Sequence, residues 1–230
     1  KQGNNPVRSG KRRGGMLVLG IETSTLVSSA ALVGDGILVS EKTLGRTNDR
    51  SRHLLTAIDS LLRKCGFKPQ DLDAVAVSTG PGSFTGIRVG MAAGMGLATG
   101  LDIPVVGVSS LDAMAYYWFK HASRGTNGNI IICPMLDAKK GEIYYALYAV
   151  RGGMPERITE YGLKSSGAII NMLSCGEETL LVMGEIPEPI KSATGLRSKI
   201  IMAQAKCGIP RAQATAMLGC VRLESEKMNM

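Results

Sequence analysis

LVLGIETSTLVSSAALVGDGILVSEKT, residues 17–43, is the stretch whose reading decides the fold. Leu17 to Ile21 is a nearly continuous apolar run, the pattern of a strand covered on both faces. Leu26 to Val33 is a second apolar stretch, Gly34-Asp35-Gly36 supplies a tight turn, and Ile37 to Thr43 runs back. Three antiparallel strands joined by short turns follow from that pattern.

Downstream, Ser51 to Lys64 places Leu54, Ile58, Leu61 and Leu62 at helical spacing, with Asn48 or Asp49 as the cap. Asp73 to Thr79 alternates as a strand, a Gly/Pro loop follows, and Thr85 to Leu101 resumes as a helix. Val105 to Val108 is a further strand and Ser110 to Lys120 a third helix. This order demands an α/β fold with a mixed five-stranded sheet, its last two strands parallel and reached through crossover helices. A ribonuclease-H-like core satisfies it. After Asn129 the pattern restarts: Ile130 to Leu136 is a strand ending in Asp137, and Glu142 to Val150 pairs as the next. An offset of 115 residues lays Glu22 over Asp137, Ala31 over Ala146 and Leu32 over Leu147, which points to a duplicated unit. Beyond Arg151 one clear strand remains, Leu180 to Met183, with helical patches near Gly167 to Leu173 and Ser198 to Cys207. The expected organisation is a first lobe over 16–122 and a second, reduced lobe over 130–230.

Composition bounds the function. With 44% hydrophobic and 20% charged residues, 230 residues can bury a large core. The longest apolar stretches, such as Met91 to Ala98, are broken by glycine and fall short of the run of about 20 residues that a membrane-spanning helix needs. Five scattered cysteines form no C-x-x-C pair and read as thiols of a reducing, cytoplasmic compartment. The net charge of +8 is concentrated in KQGNNPVRSGKRRGG, residues 1–15, which holds five basic residues and no acid. From Met16 onward 22 basic residues face 19 acidic ones. The opening stretch is expected to be a disordered basic extension outside the fold, its alternative role being a basic arm on RNA backbone. Aromatic residues are 4% of the chain, with no basic stripe interleaved among them in the remainder, so a dedicated tRNA-binding module is not expected.

The second informative string is Ser78-Thr79-Gly80-Pro81-Gly82-Ser83-Phe84-Thr85-Gly86-Ile87-Arg88. Gly80, Gly82 and Gly86 permit positive φ and close backbone approach, and Thr85 is placed to cap the helix that follows. Such a turn is anion-receptive in principle, with Arg88 one turn in as the side chain to hold an anion. No Lys-Ser/Thr pair follows the last glycine, so it is not a Walker A loop. The plainer reading is a tight strand-to-helix turn. Glu22, at the end of the first strand, is likewise readable as a ligand-facing carboxylate or as a capping residue.

The glycine string, with Gly107-Val108-Ser109-Ser110-Leu111-Asp112 and Leu136-Asp137-Ala138-Lys139-Lys140-Gly141-Glu142, resembles the signatures of the TsaB (YeaZ) family of the M22 glycoprotease-like superfamily. The resemblance runs from Met16 to about Val150. Gly219-Cys220-Val221-Arg222 stands where that family has its terminal element, without its proline and tyrosine. The resemblance implies an actin-like, two-lobed fold in which acidic loops of the two lobes hold nucleotide phosphates. The candidate nucleotide or anion residues are then Glu22, Thr23, Ser24, Gly82, Ser83, Thr85, Arg88 and Asp137, and ATP or ADP is the only cofactor it suggests.

The catalytic paralogue of this superfamily carries two metal-ligating histidines four residues apart on its third helix. The matching positions here are Ser110 and Met114, which cannot replace two imidazoles, so neither a catalytic residue nor a metal site is expected. His53 and His121 are far apart and read as solvent-edge and helix-end residues. The resemblance therefore implies a non-catalytic scaffold for the formation of N6-threonylcarbamoyladenosine beside the tRNA anticodon. Its implied partners are the catalytic paralogue TsaD, the ATPase subunit TsaE and a second copy of itself, with tRNA met only through the complex and no membrane involved. The alternative is an ATP-binding phosphotransferase or ATPase of the actin and sugar-kinase superfamily. The second helix suggests the contact. Gly86, Gly90 and Gly94 recur every four residues, and since glycine costs about 1 kcal/mol relative to alanine in a helix, something must compensate. That stripe packs either within its own domain or, as the resemblance favours, against a partner helix, with Leu54, Ile58, Met91 and Met95 completing the interface.

Overall fold

The computed structural model describes residues 15–45, 50–123, 130–151, 153–174, 178–194, 199–204 and 207–228. Residues 1–14 of the basic stretch and the Asn48 and Asp49 cap fall outside them. Three strands open the chain as read, β1 (Leu17–Glu22), β2 (Ser28–Gly34) and β3 (Ile37–Leu44), followed by α1 (Arg50–Lys64), β4 (Ala74–Gly80), α2 (Phe84–Leu101) and β5 (Val105–Ser109). Asp35 and Gly36 both adopt positive φ, the turn that brings β3 back along β2. The sheet order is β3-β2-β1-β4-β5, with β1 antiparallel to β2 and parallel to β4.

The second half comprises α3 (Ser110–Ala122), β6 (Ile130–Lys139), β7 (Glu142–Tyr145), β8 (Tyr148–Arg151), β9 (Met154–Arg157) and β10 (Gly162–Ser165). It continues with α4 (Ser166–Ser174), β11 (Thr179–Gly184), α5 (Glu188–Thr194), β12 (Ile200–Met202) and α6 (Ala212–Met228). Its path β10-β7-β6-β11-β12 repeats the first sheet strand for strand, with β6 antiparallel to β7 and parallel to β11. The duplication hinted at by the 115-residue offset is thus visible in topology. What is reduced is element length: β12 has 3 residues and α5 has 7.

Two local expectations are corrected. Glu142 to Val150 is not one strand, because Leu147 leaves the ladder: its amide donates to Thr159 Oγ1 and its carbonyl accepts from the Ile158 amide. The patch read as helical near Ser198 to Cys207 contains a strand, β12, paired in parallel with β11; Ser198, Ala205 and Lys206 lie outside the described residues. The C-terminal helix α6, which contains Gly219-Cys220-Val221-Arg222, is an element beyond those expected.

The chain divides into two compact units, and the division differs from the one drawn from sequence. The first takes in α6, and the second takes in α3. In the first unit Leu19, Ile21, Leu32, Val75 and Val77 form a core on the face of α1 and α2. Val18, Val33, Ala74 and Ala76 form another on the opposite face with Ala216, Cys220 and Leu223 of α6. Without α6 the near-continuous apolar run of β1 would be exposed on one side, which is the physical reason 212–228 belongs there. In the second unit α3 contributes Leu111, Met114, Ala115 and Trp118 to a core with Ile132 and Leu136 of β6. No helix among the described residues is long and apolar enough to cross a membrane.

Candidate functional site

Glu22 ends β1 and is fully buried, at 0% exposure. Its Oε1 accepts from the Ser24 amide at 2.8 Å and its Oε2 from Thr215 Oγ1 of α6 at 3.4 Å, with the Ser78 hydroxyl as a further donor. Burial pushes the carboxyl up from its ordinary value of 4.5, against the downward pull of those neutral hydrogen bonds. Thr23 and Ser24 are 1% exposed. Thr23 Oγ1 and Ser28 Oγ are buried with no hydrogen-bond partner among the described residues.

The glycine loop closes on the same place. The Ser83 amide donates to the Ser24 carbonyl at 2.6 Å, and Ser83 Oγ accepts from the Gly86 amide at 3.3 Å. The cap of α2 is therefore Ser83, and the expectation that Thr85 caps it is corrected: the helix begins one residue earlier, at Phe84. Both amides are spent on the chain's own oxygens, so the loop is built as a tight turn. Thr85 and Arg88 are exposed, and the Arg88 guanidinium lies 3.8 Å from the Phe84 ring centroid, a cation–π contact. Gly82 holds φ at 147°.

The interface expectation fails at five positions. Gly86, Gly90 and Gly94 are the buried face of α2. A Cβ on Gly86 would strike the Thr23 carbonyl, one on Gly90 the Thr23 hydroxyl, and one on Gly94 the Val77 side chain. The stripe lets α2 lie directly on its own sheet. Leu54 and Ile58 are 1% and 2% exposed and belong to the same core. Met91 packs partly against that core, while Met95 is 53% exposed. The outward face of α2 carries Ala92, Gly96 and Gly100, with open space around both glycines, and Leu55 of α1 is 51% exposed.

In the second unit Asp137 sits at a break in register between β6 and β7. Its Oδ1 accepts from the Lys139 amide at 2.7 Å and its Oδ2 from Lys139 Nζ at 2.8 Å. The hydrogen bond from Lys139 holds its carboxyl below the ordinary value. Asp137, Lys139, Lys140, Glu185 and Lys191 line an open cleft of about 570 Å³. Its charges are mixed, and Lys191 lies 3.5 Å from Glu188.

Ser110 and Met114 are both 0% exposed, and Met114 belongs to the core of the second unit. Between them Asp112 accepts from Tyr148 OH at 2.7 Å and from Tyr161 OH at 2.9 Å. Burial and the neighbouring Asp112 carboxylate both push the Tyr148 phenol up. This tie was not read in the sequence, since no spacing rule connects residues 36 and 49 positions apart. His53 is exposed, and His121 lies within α3 rather than past it, its ring centroid 4.4 Å from that of Tyr117. Burial pushes the Cys133 thiol up to about 12 and that of Cys220 to about 11, so neither is a thiolate at neutral pH. No cluster of three or more His, Cys, Asp or Glu able to hold a metal occurs among the described residues.

The sequence model of the family described as tRNA N6-adenosine threonylcarbamoyltransferase (TsaD) matches residues 47–205. The chain is 34% identical over 143 residues to the tRNA threonylcarbamoyladenosine biosynthesis protein TsaB of Bacillus subtilis (strain 168), covering 62% of this chain and 59% of that one. It is 36% identical over 134 residues to the TsaB of Escherichia coli (strain K12), covering 58% and 55%. It thus spans a little over half the length of the curated relatives it matches. Among solved structures, YeaZ from Pseudomonas aeruginosa superposes with a TM-score of 0.70 at 21% identity, covering 92% of this chain and 94% of that one, a likeness of fold. With an actin-like, duplicated sheet order and the glycine string after β4, the chain belongs to the TsaB (YeaZ) family of the M22 glycoprotease-like superfamily.

Proposed function

We propose that the chain acts in the cytoplasm as a non-catalytic subunit in the formation of N6-threonylcarbamoyladenosine next to the tRNA anticodon. In this reading it pairs with the catalytic paralogue TsaD, pairs with itself, and recruits the ATPase subunit TsaE, meeting tRNA only within the assembly. The observation that carries the reading is at Ser110 and Met114. Both side chains are fully buried, and a hydroxyl and a thioether in a packed core offer no pair of imidazoles to a divalent ion. The names of the relatives from Bacillus subtilis and Escherichia coli supply the pathway.

The face offered to a partner is the outward side of α2 with its neighbour on α1, in place of the internal stripe. Leu55, Met95 and Phe84 expose 51%, 53% and 66% of their surface, and Gly96 and Gly100 allow a second helix to approach closely. Co-expression with a TsaD protein, followed by affinity capture and light scattering, tests this pairing. Modified adenosine in tRNA from cells depleted of their own TsaB, with and without this chain, tests the pathway. A purified chain that hydrolyses ATP by itself would turn the assignment toward a phosphotransferase or ATPase.

A further inference from the structure

The group that the proposed scaffold role leaves unused is Glu22. A carboxylate taken wholly out of water without a cation is so unfavourable that such groups neutralise instead. Among the described residues no cation acts on Glu22. Apart from Glu22 itself, β1, β2 and β4 contain no charged residue. On β3, Glu41 accepts from the Gln213 amide at the start of α6, adding negative charge, while Lys42 donates to Ser60 of α1. On α6, Arg222 is spent on the Gly107 carbonyl two turns beyond Thr215, and Glu224 and Glu226 lie further along. On α2, Arg88 is stacked on Phe84 at the surface. Arg211, just before α6, stacks on Tyr117.

The same carboxyl is one of three side chains that hold the start of α6. Ser29 Oγ accepts from the Ala212 amide at 3.0 Å, Glu41 from the Gln213 amide at 3.2 Å, and Thr215 Oγ1 bonds Glu22. Gly20 has no room for a side chain beneath the Ala212 carbonyl, so α6 lies directly on β1.

We propose that Glu22 is a protonated, neutral acid clamping the C-terminal helix to the sheet, and that its ionisation loosens α6. The proton resides on Oε2, the oxygen bonded by Thr215 Oγ1, while Oε1 keeps the Ser24 amide. Loss of that proton to solvent leaves an unpaired anion under α6, relieved by the helix lifting to admit water. The sign follows from the raised carboxyl: its contribution to stability is full below the ordinary value of 4.5 and is lost as pH climbs through the raised folded value. Mild acid therefore holds α6 down and alkaline conditions free it.

Infrared spectroscopy of the full chain near neutral pH should show a protonated carboxylic-acid band that Glu22→Gln removes. Hydrogen exchange, corrected for intrinsic rates, should show α6 protection falling by up to about tenfold per pH unit between the ordinary value of 4.5 and the raised Glu22 titration, and Glu22→Gln should flatten that profile. Should Glu22→Gln not fold, Thr215→Val is the second variant, expected to lower protection in α6 while leaving α1 unchanged. Absence of the band at neutral pH, parallel pH profiles in parent and Glu22→Gln, or a Thr215→Val loss spread equally over α1 and α6 would overturn the clamp.

Discussion

At position 94 a side chain has nowhere to go: its Cβ would meet Val77, with Val75 and Ile21 at 3.4 and 3.6 Å. Gly94→Leu improves helix propensity yet should lower stability by about 3 kcal/mol, the scale of overpacking a tight core. A melting temperature equal to that of the parent would show that α2 does not rest on β4 as described. The same close packing explains Thr23, whose hydroxyl faces Gly90 and finds no partner among the described residues. Thr23→Val keeps the shape and removes an unpaired polar atom, so stability should rise by about 1 kcal/mol in urea unfolding. A loss of that size instead would mean the hydroxyl is satisfied. Sequence spacing made the glycine row legible but not its direction, because small residues every four positions say that a backbone passes closely and not which one. Glu22 and Thr215 are 193 residues apart, so no local pattern joins them.

At the scale of elements, α6 covers one face of the first sheet. Gly219 lets it approach β4 so closely that an added Cβ would lie 2.6 Å from that of Ala76. Gly219→Val should cost about 2 kcal/mol, whereas Val221→Ala, at a site 38% exposed, should change stability by less than about 0.5 kcal/mol. Equal effects from the two in denaturant titrations would contradict the docking of this helix. The reason α6 went unread is the residues it buries: Ala212, Ala214, Ala216 and Cys220 are too small to give a strong apolar period. Strand β1 is legible for the opposite reason, since Leu, Ile and Val on both faces leave little choice of structure. The short strands β9, β10 and β12 fall between: four residues of mixed polarity in β9 and β10, and three in all in β12, carry no usable period.

At the scale of the whole molecule, two faces of one helix separate stability from assembly. The inward face of α2 holds Gly86, Gly90, Gly94 and Ala98 against the sheet, and the outward face holds Ala92, Met95, Gly96 and Gly100 in solvent. If the outward face receives the partner, Gly96→Leu fills the space that a second helix backbone needs, starting from a Cβ that meets nothing within 4 Å in its own unit. Leucine is also the better helix former, so the isolated variant should melt at or slightly above the parent temperature. Its capture by TsaD and its self-association should fall by several kcal/mol, at least a hundredfold in affinity, the scale of a blocked interface centre at about 3 kcal/mol. Gly94→Leu serves as the contrast, expected to lose stability first and assembly only as a consequence. Melting curves, light scattering and capture on TsaD, read on both variants, distinguish the two faces. Should Gly96→Leu bind TsaD as the parent does at full stability, α2 is not the contact, and Leu55 with the exposed side of α1 becomes the next surface to change.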